Sequence, residues 1–188
     1  VKACLNAGFT SVMIDASHLD FEENIALVRK TADYCHFYGV PVEAELGALA
    51  GKEDEDVSEA DRKTDPALVA EFVARSGCDT LAVSIGNVHG LDAIPNIDLP
   101  LLERISKVSP VPLVMHGGSG IDMNIIHRLK DYGMIKVNYG AELRKQMIRA
   151  FGETYERNHN AHDVISLSMK AVEYVSDKAA ELVTEINR

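Results

Sequence analysis

Several classes of protein are excluded by what this sequence has little of. Across 188 residues it has only three cysteines, Cys4, Cys35 and Cys78. Three widely spaced thiols form neither a disulfide framework nor a paired metal motif, so a reducing, cytoplasmic setting is expected. No apolar run approaches the ~18 residues of a membrane-spanning helix, and no stretch reads as a signal peptide. Positive charge is scarce too. Nineteen Lys and Arg stand against 29 Asp and Glu, a formal net charge of −10, which argues against nucleic acid or an anionic membrane as partner. The remaining composition, 46% hydrophobic and 26% charged, is that of a globular chain long enough for one domain with a core, here residues 1–188. Val1 is not a methionine, and VKACLNAG reads as the end of a helix stopped by Gly8. The native protein is therefore expected to begin upstream.

Short apolar runs alternate with longer stretches of helical period. Strands are predicted at Phe9–Asp15, Val40–Glu45, Thr80–Ile85, Leu113–Met115 and Met134–Asn138. Between them, Asp20 with Glu23 reads as a capping box, Asp65–Pro66 as a helix start, and Asp98 as the cap of Leu99–Val108. Helices are expected again over Ala141–Glu156 and within Ala161–Arg188, whereas 48–63 (ALAGKEDEDVSEADRK) is an acidic loop without period. Such alternation is the signature of parallel βα units. It suits either the last five units of a (β/α)8 barrel or an open, doubly wound sheet of five strands. In a barrel the carboxyl ends of the strands share one face, where Asp15, Glu45, His89, His116 and Asn138 would converge.

The densest chemistry lies in Pro110–Ile121, PVPLVMHGGSGI. An apolar strand ends in His116, and Gly117, Gly118, Ser119 and Gly120 lead to a helix opened by Asp122. A glycine turn running into a helix N-terminus aims backbone N–H groups at an anion such as phosphate. A histidine beside it is placed to hold a metal. Many βα turns need glycine only to turn, and one histidine at a strand end is usually a neutral, hydrogen-bonded residue. Two histidines, His89 and His116, each in a glycine-rich turn after consecutive strands, reverse that balance.

The segments GFTSVMIDASH, VEAELGALAGKED, LAVSIGNVHG, PLVMHGGSGI and IKVN, spread from Gly8 to Asn138, resemble the class II, metal-dependent ketose-bisphosphate aldolases, the group holding fructose- and tagatose-bisphosphate aldolases. The resemblance implies a (β/α)8 TIM barrel of which this chain supplies about strands four to eight, followed by a helical extension over 161–188. It implies reversible retro-aldol cleavage of a phosphorylated sugar, a ketose 1,6-bisphosphate, with Zn2+ polarising the carbonyl while the C3–C4 bond breaks. His89 and His116 match two zinc ligands; the third histidine, and an aspartate that takes the C4 hydroxyl proton, belong to an HLDHG-like strand absent from this sequence. Glu53 matches a glutamate of a mobile loop, here 48–63, that transfers a proton on the dihydroxyacetone-phosphate side. Glu45 and Asp15 match carboxylates near the metal or at an alternative metal position; otherwise they cap a helix or pair with a lysine. Gly90, Gly117, Gly118, Ser119, Asn138, Gly140 and Ala141 fall at substrate and phosphate positions, and Val88, Gly90, Gly117 and Ser119 at a site for a monovalent cation, Na+ or K+. Relatives of this kind are homodimers or homotetramers.

Two departures stand out. Ala141 occupies a position where the family usually has threonine, which removes a hydroxyl from the phosphate site, and Asp92 replaces a common aromatic residue. Two other functions fit the same residues: an aldolase-like subunit without catalysis, and a metal-free phosphate-binding barrel in which His116 only orients the glycine turn.

Overall fold

The computed structural model describes residues 1–49, 62–91 and 93–188 in full, with the backbone of 51–53 and 56–58. A short helix α1 (Lys2–Asn6) precedes strand β1 (Val12–Ile14), helix α2 (Phe21–Phe37) and strand β2 (Val42–Leu46). The segment expected to lack structure carries a small antiparallel hairpin, β3 (Gly51–Glu53) with β4 (Asp56–Ser58). There follow α3 (Pro66–Ser76), β5 (Thr80–Val83), α4 (Leu99–Val108), β6 (Leu113–Met115), α5 (Met123–Leu129), β7 (Met134–Val137), α6 (Ala141–Arg157) and α7 (Val164–Ile186). Asp20 accepts from the Glu23 N–H, Asp65 from Ala67 and Asp98 from Leu101, so the caps read from the sequence close their helices.

The five longer-range strands form one parallel sheet in the order β1-β2-β5-β6-β7. Each new strand joins the same edge. A doubly wound sheet reverses that direction at a switch point, and this order has none, which removes the open-sheet alternative and leaves the winding of a barrel.

The two faces of the sheet confirm it. Toward the helices stand Ala44, Leu46, Leu81, Val83, Leu113 and Met115, packed with Val28, Val69, Phe72, Leu102 and Ile105. Glu45, Ala82, Val114 and Lys136 lie in register across the opposite face, with Glu43 beside Met13 and Thr80. A doubly wound sheet is apolar on both faces; this one is apolar on one. Lys136 Nζ lies 2.7 Å from Glu43 Oε2, although β5 and β6 separate their strands. On a flat sheet β2 and β7 would be about 14 Å apart, so the contact requires a sheet curled around its polar face.

Four strands are shorter than expected, β2 and β7 by one residue, and the two that lose most, β1 and β5, do so for local reasons. β1 starts at Val12 because the Phe9 N–H still bonds to the Cys4 carbonyl, closing α1. β5 ends at Val83 because the Ile85 N–H turns to the Asn87 side-chain oxygen, 2.8 Å away.

Candidate active site

His116 follows directly on β6, and three features hold the turn it opens. Gly117 has φ of +65°, a left-handed conformation that favours glycine, and a Cβ there would penetrate the Val88 carbonyl. The turn after β5, which carries His89, can therefore rest against the turn after β6. Asn87 is fully buried between them; its amide nitrogen donates to the His116 carbonyl at 2.8 Å while its oxygen accepts from Ile85. From the next unit, the Gly118 N–H donates to the Asn138 carbonyl at 2.9 Å and the Glu142 N–H donates to the Ser119 hydroxyl at 3.3 Å.

The imidazole of His116, 3% exposed, sits between two carboxylates. Nε2 lies 2.8 Å from Glu43 and Nδ1 3.1 Å from Glu45. The strand's period of two puts both glutamates on the same side of β2, facing the barrel interior. Burial disfavours the charged ring, but the hydrogen bonds to Glu43 and Glu45 outweigh it and push the His116 pKa up to about 9. For Glu43 burial likewise opposes ionisation, and the bonds from His116 and Lys136 prevail and hold its pKa below the usual value. The His116 ring, two buried carboxylates and the exposed Lys136 ammonium thus form one chain of charge.

The rings of His89 and His116 lie nearly parallel, their centroids 6.2 Å apart. Two imidazoles on one tetrahedral zinc would bring their centroids to about 5 Å, and here both ring nitrogens of His116 face carboxylates, so a shared ion would require the His116 ring to turn as well as approach. Among the described residues no group of three His, Cys, Asp or Glu is arranged to hold a metal. The donors nevertheless fit zinc in kind. A ring nitrogen of His116 that turned to a metal would leave the other on its carboxylate, the arrangement that fixes the ring of a metal-bound histidine.

Beside the pair opens a cavity of about 400 Å3, lined by His89, Gly90, His116, Gly117, Ser119, Val137, Asn138, Tyr139, Gly140, Ala141 and Arg144. It unites most positions expected to hold substrate. Gly118 is a correction: it is absent from the wall, and its N–H is taken by Asn138, so it links turns instead of contacting an anion. Asp15 is exposed and accepts from the Ser17 N–H at 2.9 Å, which makes it a local turn cap and not a wall of this cavity. Glu45 does reach the pair, through His116. The side chain of Glu53, and Asp92, lie outside the described residues.

Sequence reasoning missed Glu43, Asn87, Lys136 and Arg144. For Glu43 a signal existed, because VEAEL places two carboxylates at the strand period. Lys136 and Arg144 gave none: their meeting with the site depends on the curl of the sheet and the start of α6.

A family model described as fructose-bisphosphate aldolase class-II matches residues 1–188. The chain belongs to this family. It is 41% identical over 163 residues to a fructose-bisphosphate aldolase of Geobacillus stearothermophilus and 40% identical over 163 residues to one of Staphylococcus epidermidis, in each case 86% of this chain and 57% of the relative. The YdjI aldolase of Escherichia coli K12 superposes with a TM-score of 0.81 at 35% identity, over 98% of this chain and 64% of that one. The chain thus spans less than two-thirds of the relatives it matches, in line with five units of an eight-unit class II aldolase barrel.

Proposed function

We propose that this chain forms part of the active site of a zinc-dependent aldolase that cleaves a ketose 1,6-bisphosphate, fructose or tagatose, to dihydroxyacetone phosphate and glyceraldehyde 3-phosphate. The single observation that carries the reading is the pairing of His89 and His116 at the edge of a cavity walled by glycine turns. His89 and His116 would hold the metal, with Glu43 and Glu45 fixing the ring of His116. A bound zinc supplies Lewis-acid polarisation of the ketose carbonyl. The chain's own residues do the rest of this half of the work. Gly117, Ser119 and Asn138 orient the phosphate and the sugar, and the N-terminus of α6 adds its dipole toward the phosphate. When the C3–C4 bond breaks, the C4 hydroxyl loses its proton to a base outside this sequence. C3 takes up a proton delivered by Glu53, and the bonding pair stays with the dihydroxyacetone-phosphate fragment.

One observation favours the metal-free alternative, in which His116 only orients the glycine turn: both its ring nitrogens face carboxylates. Metal analysis of the full-length protein separates the two. The aldolase reading expects bound zinc, chelator-sensitive cleavage of fructose or tagatose 1,6-bisphosphate, and no turnover in His89→Ala. Protein that binds no zinc, or a His89→Ala variant that retains turnover, would overturn it.

A further inference from the structure

Loop 48–63 leaves the sheet after β2 and returns before α3, and its two ends are bound to each other and to the strands. At the base, Ala48 and Arg62 exchange both backbone bonds, at 2.8 and 3.0 Å, and the Arg62 guanidinium donates to the Ser17 carbonyl at 2.7 Å. Next to this rung stands Thr64, 2% exposed. Its N–H donates to the Ser84 carbonyl at 2.9 Å, and its hydroxyl donates to the Leu46 carbonyl while accepting from the Ser84 N–H at 2.8 Å. One hydroxyl thus joins β2 to β5 just past their last paired residues, Leu46 and Val83. Gly47 makes room for it: φ is +101°, and a Cβ there would stand 2.8 Å from the Arg62 carbonyl and 2.9 Å from Thr64 Oγ1. Thr64 is not part of the cavity wall, so any influence it has on the chemistry passes through the loop it anchors.

We infer that Thr64 is a positioning residue for the proton transfer assigned to Glu53, because it fixes the root from which the loop projects; the inference rests on the aldolase reading above. Beyond the base rung the loop pairs with itself again, Gly51 with Ser58 and Glu53 with Asp56, so it is a ribbon with rungs at its base and toward its end. Extended chain from Ala48 to Glu53 spans at most about 18 Å, and over that length a tilt of ~5° at the root moves Glu53 by about 1.5 Å. A misplacement of ~1 Å is enough to slow a positioned reaction by about 100-fold. Valine at 64 would keep the shape of threonine and remove the bridge between β2 and β5, which frees the root to tilt.

Deuterium uptake from D2O into the hydroxymethyl carbon of dihydroxyacetone phosphate, followed by NMR with the full-length protein, isolates that transfer. Glu53 removes the proton, the electron pair stays with the fragment, and a solvent deuteron returns to the same carbon. Thr64→Val should slow uptake by about 10- to 100-fold while bound zinc and the Kd for dihydroxyacetone phosphate stay unchanged. Thr64→Ser, which keeps the hydroxyl, should remain within about threefold of wild type. Circular dichroism reports folding. If Thr64→Val does not fold, Arg62→Met decides: the residue is exposed, and loss of its bond to Ser17 should slow uptake by about threefold or more. Uptake at the wild-type rate in the deciding variant would overturn this inference alone. So would a loss of zinc or of ligand affinity in step with uptake, which would make Thr64 a strut of the barrel and nothing more. Wild-type protein that takes up no deuterium would overturn the role of Glu53 and the inference with it.

Discussion

The turn after β6 and the turn after β7 face one cavity and are built in different ways. In the first, His116 and Ser119 are each 3% exposed, Gly117 is left-handed, and the buried amide of Asn87 ties the strand end to its neighbour. In the second, Asn138 is exposed, Gly140 caps α6 without a side-chain hydrogen bond, and Arg144 reaches back from the helix. Backbone close to backbone leaves little room for another residue in the β6 turn. The β7 turn is more exposed at Asn138, and there the sequence departs from the aldolase pattern. The difference separates a part that positions ring nitrogens from a part that can change what is recognised.

If that division is right, the largest effects belong to the β6 turn. Gly117→Ala would impose a left-handed backbone on an L-residue and drive its methyl into the Val88 carbonyl, for a loss of roughly 3 kcal/mol or more. Urea unfolding monitored by circular dichroism measures it, and a loss under ~1 kcal/mol would show that the two histidine turns are not locked together. Next comes Asn87→Ala, which leaves the Ile85 N–H and the His116 carbonyl buried without this amide and should cost about 2 kcal/mol. The same urea experiment checks it. A neutral outcome would make the β6 turn no more constrained than the β7 turn.

Much of this contrast could be read before the fold was known. The glycines around His116, the Asp caps and the positions of the strands each have a local cause, a φ, an N–H or an apolar run, so the sequence carries them; the order of the strands in the sheet does not, and it came from the fold. The clamp on His116 was only half legible. Glu45 was singled out as a strand-terminal carboxylate; Glu43 was not, although the strand period places both on one face. Lys136 meets Glu43 only because the sheet curls across two intervening strands, and no periodicity in MIKV signals that. Gly118 failed in the opposite direction. Its place in a glycine run suggested an anion contact, but the adjacent strand end claims its N–H first.

Smaller effects are expected in the β7 turn, and they concern affinity more than folding. Ala141→Thr restores a hydroxyl to the cavity wall at the helix start. One neutral hydrogen bond is worth about 1 kcal/mol net, so dihydroxyacetone phosphate should bind roughly fivefold tighter, with stability nearly unchanged. Calorimetry on the variant gives the number. Weaker binding would mean that the wall is already filled by the Arg144 guanidinium, which would sharpen the contrast by making residues 141 and 144 alternatives.

Tyr139 supplies the smallest change and the cleanest measure of how loosely the β7 turn is specified. Its hydroxyl is buried and has no hydrogen-bond partner among the described residues, and burial, with Glu142 and Glu185 nearby, pushes its pKa up to about 12. A buried hydroxyl that has lost water without gaining a partner is a cost to the fold. Tyr139→Phe deletes that group and keeps the ring against Gly118. The variant should therefore be as stable as the parent or more so, by up to ~1 kcal/mol, where deletion of a bonded tyrosine hydroxyl would cost about as much. The sign of the shift in urea midpoint decides between these cases. A loss would place a real hydrogen bond on Tyr139 and give the β7 turn the same kind of anchor that Asn87 gives the β6 turn.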